Sequence, residues 1–361
     1  MGKCWQGKVE WMLAVVLSMF MTSGALAARH DIDANVGFFG GAVELDADSE
    51  EYGHDYDEDG DISGNRYKLG YTFYFNELLI AEVPNDLKVF LQHPARIYAS
   101  FSGGTYEEDR DIEVGYHYGT GKKSWETSYQ DFELGGSYYF PSNTGLGIAV
   151  ALGSEEKEYD YSFSTDESNY YGYSDSYSYD ADGDRRKFKL WVDQYLEGKH
   201  RLRFSYSNFL KERSYKNSNG FSWENDYTTN WYLLNYKAAY GGGARFVLDL
   251  TFGYGQEEYE YSTDTDEWTA YNFGLNFGPA FSRFAIYFYF DFTTWDPDQA
   301  ELYDRYNLVF GINPRFWFGD HVSMDINLFG ELDEYDYPDN SSSYDQTDGS
   351  FNIDIALKIR F

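Results

Sequence analysis

The chain has almost no cysteine, because Cys4 is the single one among 361 residues. It lies in a short basic segment with Lys3 and Lys8, ahead of an apolar run over residues 11–21. A mature chain that starts after this segment would carry no cysteine. We therefore expect neither a disulfide framework nor thiol chemistry in the folded protein.

Long apolar runs are also scarce. The run over residues 11–21 is shorter than the roughly 20 residues that a membrane-spanning helix needs. Ala25 and Ala27 follow it with the spacing of a signal-peptide cleavage site. We predict that residues 1–27 are a cleaved secretory signal peptide and that residues 28–361 form a single domain.

Basic residues are outnumbered by acidic ones. The sequence has 28 lysines and arginines against 61 aspartates and glutamates, which gives a formal net charge of -33 at pH 7. Such a chain repels phosphate backbones, and this excludes nucleic-acid binding as a primary function. The acidic excess instead suits a surface that meets cations.

Catalytic motifs are missing as well. The 6 histidines are scattered without the spacing of a metal site or of a nucleophile and its base. The sequence contains no phosphate-binding loop, dinucleotide fingerprint or paired-cysteine metal motif. We therefore predict that the protein is not an enzyme and requires no cofactor.

What the sequence does contain is alternation, most clearly at its C-terminus. Apolar residues occupy every second position there, with mostly polar residues between them: Phe351, Ile353, Ile355, Leu357, Ile359 and Phe361. A period of two predicts a strand with one apolar and one polar face. A strand of this kind that ends the chain on an aromatic residue resembles the closing strand of outer-membrane barrels, which implies a membrane assembly signal.

Similar alternation recurs along the chain, and aromatic residues make up 21% of the composition. A transmembrane barrel explains both, because lipid-facing positions take every second residue and aromatic girdles mark the membrane interfaces. We predict an all-β, transmembrane, antiparallel, up-and-down β-barrel of about 14 strands. Between Ile97 and Phe140 the alternation changes phase, since Ile112 and Val114 fall out of step with Phe101. An extra hairpin there would make about 16 strands, but we favour two long strands with bulges.

The segments between the predicted strands alternate in length. The short ones suit tight turns and comprise residues 141–145, 197–200, 241–244, 279–282 and 319–321. The long, mostly acidic ones comprise residues 46–64, 155–184, 213–225, 257–267, 295–302 and 333–350. Outer-membrane barrels have short periplasmic turns and long extracellular loops, so we expect both termini in the periplasm.

One connection is long on the side where turns should be short. Residues 76–94 contain Asn85 and Asp86, which suit a helix N-terminus, and Leu87 and Phe90 predict a short amphipathic helix. Together with residues 90–96, which read FLQHPAR, this insert resembles the first periplasmic connection of the general porin family of Gram-negative outer-membrane β-barrels. The resemblance covers about residues 66–101 and the terminal strand. It implies a porin-like channel and a homotrimer, and it carries over no catalytic residue.

Basic residues on two adjacent strands predict a pore lining. On the sixth and seventh strands, which a tight turn joins, they alternate with apolar residues: Lys187, Lys189, Arg201 and Arg203. We predict that these side chains share one inner wall, opposite the acids of an infolded loop at residues 155–184. The alternative is that they only balance neighbouring acids in a polar lumen.

An acidic motif in the first long segment is a candidate metal site. Asp55, Asp57, Asp59 and Asp61 flank Gly60. Oxygen ligands at alternate positions and a glycine for the sharp turn form the core of a calcium-binding loop. The bidentate glutamate of such loops is absent, because arginine occupies its position. The sequence therefore leaves two alternatives: a weak Ca²⁺ site in an extracellular loop, or a generic acidic loop.

These features predict a porin-like channel in the bacterial outer membrane for the passive diffusion of small hydrophilic solutes, with a mild preference for cations. The alternative is a surface β-barrel binding module or adhesin whose acidic, tyrosine-rich loops bind a ligand or calcium. The expected partners are outer-membrane lipid, lipopolysaccharide, the barrel-assembly machinery and small hydrophilic solutes.

Overall fold

The computed structural model describes residues 30–49, 54–75, 87–114, 119–165, 174–241, 245–261, 264–298, 303–319, 321–336 and 343–360. They form a closed antiparallel barrel in which each strand pairs with its neighbours in sequence and β1 pairs with β14. The strands are β1 (His30–Ser49), β2 (His54–Tyr74), β3 (Arg96–Val114), β4 (Gly119–Tyr139), β5 (Thr144–Ser164), β6 (Ser174–Leu196), β7 (His200–Asn217), β8 (Ser222–Gly241), β9 (Arg245–Glu260), β10 (Thr265–Ala280), β11 (Phe284–Pro297), β12 (Asp304–Phe318), β13 (Val322–Asp336) and β14 (Ser343–Arg360). The predicted all-β barrel of 14 strands is confirmed. The predicted signal peptide and Phe361 lie outside the described residues.

The closing strand β14 has the predicted phase. Four of its apolar residues are between 39% and 56% exposed on the outer surface: Phe351, Ile353, Ile355 and Leu357. Asn352 and Arg360 lie on the inner face and are buried. The alternation therefore separates an apolar, lipid-facing surface from a polar lumen, as expected for an outer-membrane barrel.

The strands are longer than a membrane requires. A spanning β-strand needs roughly 9–11 residues, whereas β5 has 21 and β6 has 23. On β5 the outward residues are apolar from Leu146 to Leu152, and beyond them Glu156 and Glu158 are exposed. Most of what the sequence predicted as long loop, including residues 155–164, is therefore strand. Outside the membrane the outward side chains meet water, so the hydrophobic alternation stops while the backbone ladder continues.

The region of changed phase contains no bulge. β3 and β4 pair without interruption from Arg96↔Ser137 to Val114↔Gly119, so the predicted bulges are wrong and the alternative of an extra hairpin is excluded. Ile112 is 3% exposed because it lies on the inner face of β3. The phase changes because the apolar residues move to the lumen side beyond the membrane.

The predicted amphipathic helix is present as α1 (Lys88–Gln92). It ends at His93, whose φ of 47° lies in the left-handed region, and Pro94 follows. No helix in the described ranges is long and apolar enough to cross a membrane.

Candidate functional site: the barrel lumen

The four predicted basic residues lie on the inner wall. Lys187 and Lys189 occupy β6, and Arg201 and Arg203 occupy β7, at positions that alternate with lipid-exposed apolar residues. The two strands pair in a register that places Arg203 opposite Asp193. The structure thus brings the four cations to one side of the lumen, but it gives them different surroundings.

Asp193 is the acidic partner of both Arg201 and Arg203. Its carboxylate is fully buried and accepts hydrogen bonds from Arg203, at 2.6 Å from Nε and 2.8 Å from Nη2. Arg201 Nε lies 3.8 Å from the same carboxylate, and the Tyr139 hydroxyl donates to it at 2.9 Å. A buried carboxylate needs such partners because an unpaired charge is costly to desolvate. Arg201 and Arg203 therefore balance an acid of the wall.

Lys187 and Lys189 lie beside open space. With Asp33 of β1 and Glu133 of β4, they line a cavity of about 440 Å³. Within the described part of the chain, neither lysine forms an ion pair. Leu190 follows the two lysines along β6 toward the tight turn, and its side chain is exposed on the outer, lipid-facing surface. The cavity therefore lies at membrane depth. Cations and carboxylates of different strands thus share one polar space, which we call the mid-barrel cavity.

The acids near these cations belong to barrel strands and not to an infolded loop. The sequence predicts that residues 155–184 fold inward, but their described parts, residues 155–165 and 174–184, are strand or strand end. Glu155 itself lies on the inner face of β5 and is 5% exposed. It pairs with Lys211 at 3.0 Å and with Arg213, and Arg185 lies 4.0 Å away. One buried carboxylate therefore has three cationic side chains of β6 and β7 within ion-pair distance.

Helix α1 lies inside one end of the barrel. This end carries the start of β1, the end of β14 and the tight turns, and such an end is periplasmic in outer-membrane barrels. Leu87 is 1% exposed and Phe90 is 9% exposed. They pack on inward-facing residues of five strands: Tyr195, Ala239, Val247, Ala280, Ala285 and Tyr287. The connection therefore narrows the periplasmic end of the lumen, and we call residues 87–94 the plug.

His93 holds the C-terminal end of the plug. Its Nδ1 lies 2.6 Å from the carbonyl oxygen of Phe90, and its ring centroid lies 3.4 Å from that of Tyr195. Burial lowers the pKa of the His93 imidazole, while the hydrogen bond to Phe90 and the charge of Asp193 act in the opposite direction. Because the net shift is downward from the ordinary value, the imidazole is neutral at pH 7.

A second cavity, of about 490 Å³, lies in the outer half of the lumen. Six aromatic residues line it: Tyr227, Tyr259, Tyr261, Trp268, Trp295 and Tyr303. Its polar lining residues are Lys211, Arg213, Asn225, Glu257 and Arg305. The Arg305 guanidinium lies 4.6 Å from the centroid of the Trp295 ring, within the range of a cation–π interaction. We call this cavity the aromatic chamber.

Aromatic contacts continue around the inner wall beyond the chamber. Tyr159 stacks on Tyr179 at 4.7 Å, and Tyr215 stacks on Trp223 at 5.0 Å between ring centroids. None of these residues is among the predicted site residues, because composition assigns tyrosine to the membrane girdles. The alternation along the strand identifies such residues as lumen-facing. Leu152 is even-numbered and faces outward on β5, so the odd-numbered Tyr159 faces the lumen.

The candidate calcium motif lies on an extended strand. Residues 54–64 belong to β2 and pair with β1, and residues 56–64 also pair with β3. Asp59 and Asp61 are exposed on the outer face, and the side chains of Asp55 and Asp57 lie outside the described residues. Across the described ranges, no three histidine, cysteine or acidic side chains are placed to hold a metal ion. Calcium binding stays a prediction.

No protein-family model and no curated protein matches the chain, but solved structures do. A Pseudomonas aeruginosa FadL homologue is 9% identical with a TM-score of 0.53, and the match covers 92% of this chain and 90% of that one. The P. putida toluene transporter TodX is 9% identical with a TM-score of 0.50, over 92% and 90% of the two chains. The translocator domain of the autotransporter NalP from Neisseria meningitidis is 9% identical with a TM-score of 0.40, over 100% and 98%.

At these identities the similarity concerns the fold. The resemblance to general porins therefore rests on the sequence of the first periplasmic connection and the terminal strand. The apolar outer surface, the polar lumen and the similar solved structures agree on one conclusion. The chain folds as a closed β-barrel with an apolar outer surface, similar to those of bacterial outer-membrane proteins.

Proposed function

We propose that this protein is an outer-membrane channel for the passive diffusion of small hydrophilic solutes. The observation that carries the proposal is the mid-barrel cavity, in which Lys187 and Lys189 share a polar space with Asp33 and Glu133. In a barrel of about 8 strands the side chains fill the interior, whereas a barrel of about 14 strands is wider. The function needs neither a catalytic group nor a cofactor.

The similar solved structures include a transporter of toluene, an apolar compound. The mid-barrel cavity favours another class of solute, because its lining includes Lys187, Lys189 and Glu133. An apolar solute would displace water from these groups without replacing the hydrogen bonds, which is unfavourable. A hydrophilic solute keeps those groups solvated.

A mild preference for cations follows from the positions of the charges. The formal net charge is -33, and acidic residues such as Glu156, Glu158 and Asp182 are exposed on the strand extensions outside the membrane. They attract cations to the mouth over a Debye length of about 10 Å at 0.1 M salt. Lys187 and Lys189 lie deeper, where a narrow lumen focuses the field and opposes this attraction.

Single-channel recording in planar bilayers tests the function. We compare the wild type with Leu87→Asp, which places a charge at the most buried position of the plug and should unseat it. Stepwise openings are expected, with a larger conductance in Leu87→Asp. Val89→Asp is the matched control, because it adds the same charge to α1 outside the buried cluster.

Folding is checked in parallel by heat-modifiable migration on gels. If the wild type and Leu87→Asp are both folded and both silent, the channel function is wrong and a closed binding barrel or adhesin takes its place. The homotrimer and the interactions with lipopolysaccharide and the assembly machinery stay predictions that this test does not require.

A further inference from the structure

The aromatic chamber combines ring faces with hydrogen-bonding groups. Trp268 and Trp295 line it from β10 and β11, and Tyr227 and Tyr259 line it from β8 and β9. Its volume of about 490 Å³ lies within the range of small-molecule sites, roughly 300–1,000 Å³. The negative face of an aromatic ring attracts positively polarised C–H bonds, and one face of a pyranose ring presents several of these bonds. The chamber therefore suits a ring that is apolar on its faces and polar at its edge.

The cations of the chamber are already paired. Arg305 Nη2 lies 3.1 Å from Asp333, Lys211 Nζ lies 3.0 Å from Glu155, and Arg213 also contacts Glu155. An anionic ligand would have to compete with these carboxylates, so the chamber has little net positive field to select one. Ion-paired guanidinium groups instead hold donors and acceptors side by side. Vicinal hydroxyl groups, which both donate and accept, match that arrangement.

Polar groups of the lining disfavour an apolar guest. Glu257, Asn225 and Arg305 line the chamber beside the aromatic rings. A hydrocarbon would strip water from these groups without replacing the hydrogen bonds, which is costly.

We propose that the aromatic chamber binds neutral carbohydrate. The chamber lies outward of the mid-barrel cavity, and β7 contributes to both, since Lys211 and Arg213 follow Arg203 along β7 away from the periplasmic turn. A solute from outside therefore meets the chamber first. That neutral sugars are also the transported solutes rests on the proposed channel function.

Isothermal titration calorimetry on the folded full-length barrel in detergent tests the site without requiring transport. The probes are maltohexaose, cellohexaose and xylohexaose, with benzoate and toluene as anionic and apolar comparisons. At least one oligosaccharide should bind saturably. Trp268→Ala and Trp295→Ala should each weaken binding by about tenfold, while Trp268→Phe should retain most of it because a ring remains. Trp125→Ala on β4 is the matched control, since this inner-face tryptophan is not part of the chamber lining.

The channel current distinguishes failure of the site from failure of the channel. If an oligosaccharide binds but the protein conducts no current, the carbohydrate site stands and the proposed function fails. If the protein conducts but none of the three oligosaccharides binds, the carbohydrate proposal is overturned and the channel stands. Tighter binding of benzoate or toluene than of every oligosaccharide would also overturn it.

Discussion

Arg360 of the last strand donates two hydrogen bonds to Asp31 of the first strand, at 2.9 Å from Nε and 3.0 Å from Nη2. Asp31 is fully buried, and the Tyr74 hydroxyl donates to the same carboxylate at 3.0 Å. The two residues are direct partners in the register of β1 and β14. A buried, bidentate ion pair therefore joins the first and last strands at the seam where the barrel closes.

Replacing Asp31→Asn should destabilise the barrel by about 3–5 kcal/mol, because it leaves the buried Arg360 guanidinium without its counter-charge. Urea unfolding in lipid vesicles measures the change. Asp33→Asn is the matched control. Asp33 pairs with Lys358 at 3.0 Å on the same seam, but both side chains are about one-third exposed, and such pairs contribute at most about 1 kcal/mol. Equal losses in the two variants would contradict a special role for the buried pair.

The lipid-facing phase of β14 predicts that a charge at one position destabilises the barrel far more than a charge at the next position. Ile355 is 50% exposed on the outer surface, midway along the apolar residues of the strand, whereas Ala356 faces the lumen. Ile355→Lys should destabilise the folded barrel in vesicles by about 2–4 kcal/mol, because it places a charge near the bilayer midplane. Ala356→Lys should have a much smaller effect, since it faces Asp325 across the strand pair. Similar losses in both variants would refute the assigned phase.

Acid should loosen the plug through His93. Burial lowers the pKa of this imidazole in the seated plug below its ordinary value, so protonation favours the released state. The stabilisation of the seated plug is complete above the unfolded pKa of about 6.5 and is lost as the pH falls below it and through the lower pKa of the seated plug. Single-channel conductance should therefore rise as the pH falls below about 6.5.

His93→Gln is the control for this pH dependence, because glutamine keeps a polar side chain but does not titrate. The rise in conductance at acid pH should be absent from this variant. An equal rise in His93→Gln would assign the effect to the carboxylates of the wall, and a constant conductance in the wild type would show that His93 does not control the plug.

The sequence predicts the membrane part of the barrel because alternation records which side chains meet lipid. The phases of β6, β7 and β14, and hence the inward positions of Lys187 and Arg203, follow from it directly. The same signal disappears outside the membrane, where outward residues are as polar as inward ones. That is why the sequence predicts a loop at strand residues such as Glu155, and a bulge near the phase change at Ile112.

Contacts between distant strands lie beyond any local pattern. Asp193, which neutralises Arg201 and Arg203, is one acid among 61 acidic residues, and nothing in its neighbourhood identifies it as their partner. The seat of the plug likewise depends on residues of β6 and of β8 to β11, which follow it by roughly a hundred residues or more along the chain. The short helix was predictable from its own sequence, but its position inside the lumen was not.

The reversal potential across a salt gradient tests the channel account most directly. The Lys187→Gln/Lys189→Gln double variant removes two lumen cations that have no ion-pair partner among the described residues. Arg186→Gln is the matched control, since Arg186 lies on the same strand with its side chain on the outer surface, where it pairs with Glu212 at 3.0 Å. The double variant should become more selective for cations, while Arg186→Gln should retain the wild-type potential. An unchanged reversal potential in the double variant would mean that these lysines do not line the permeation path, and would contradict the proposed function.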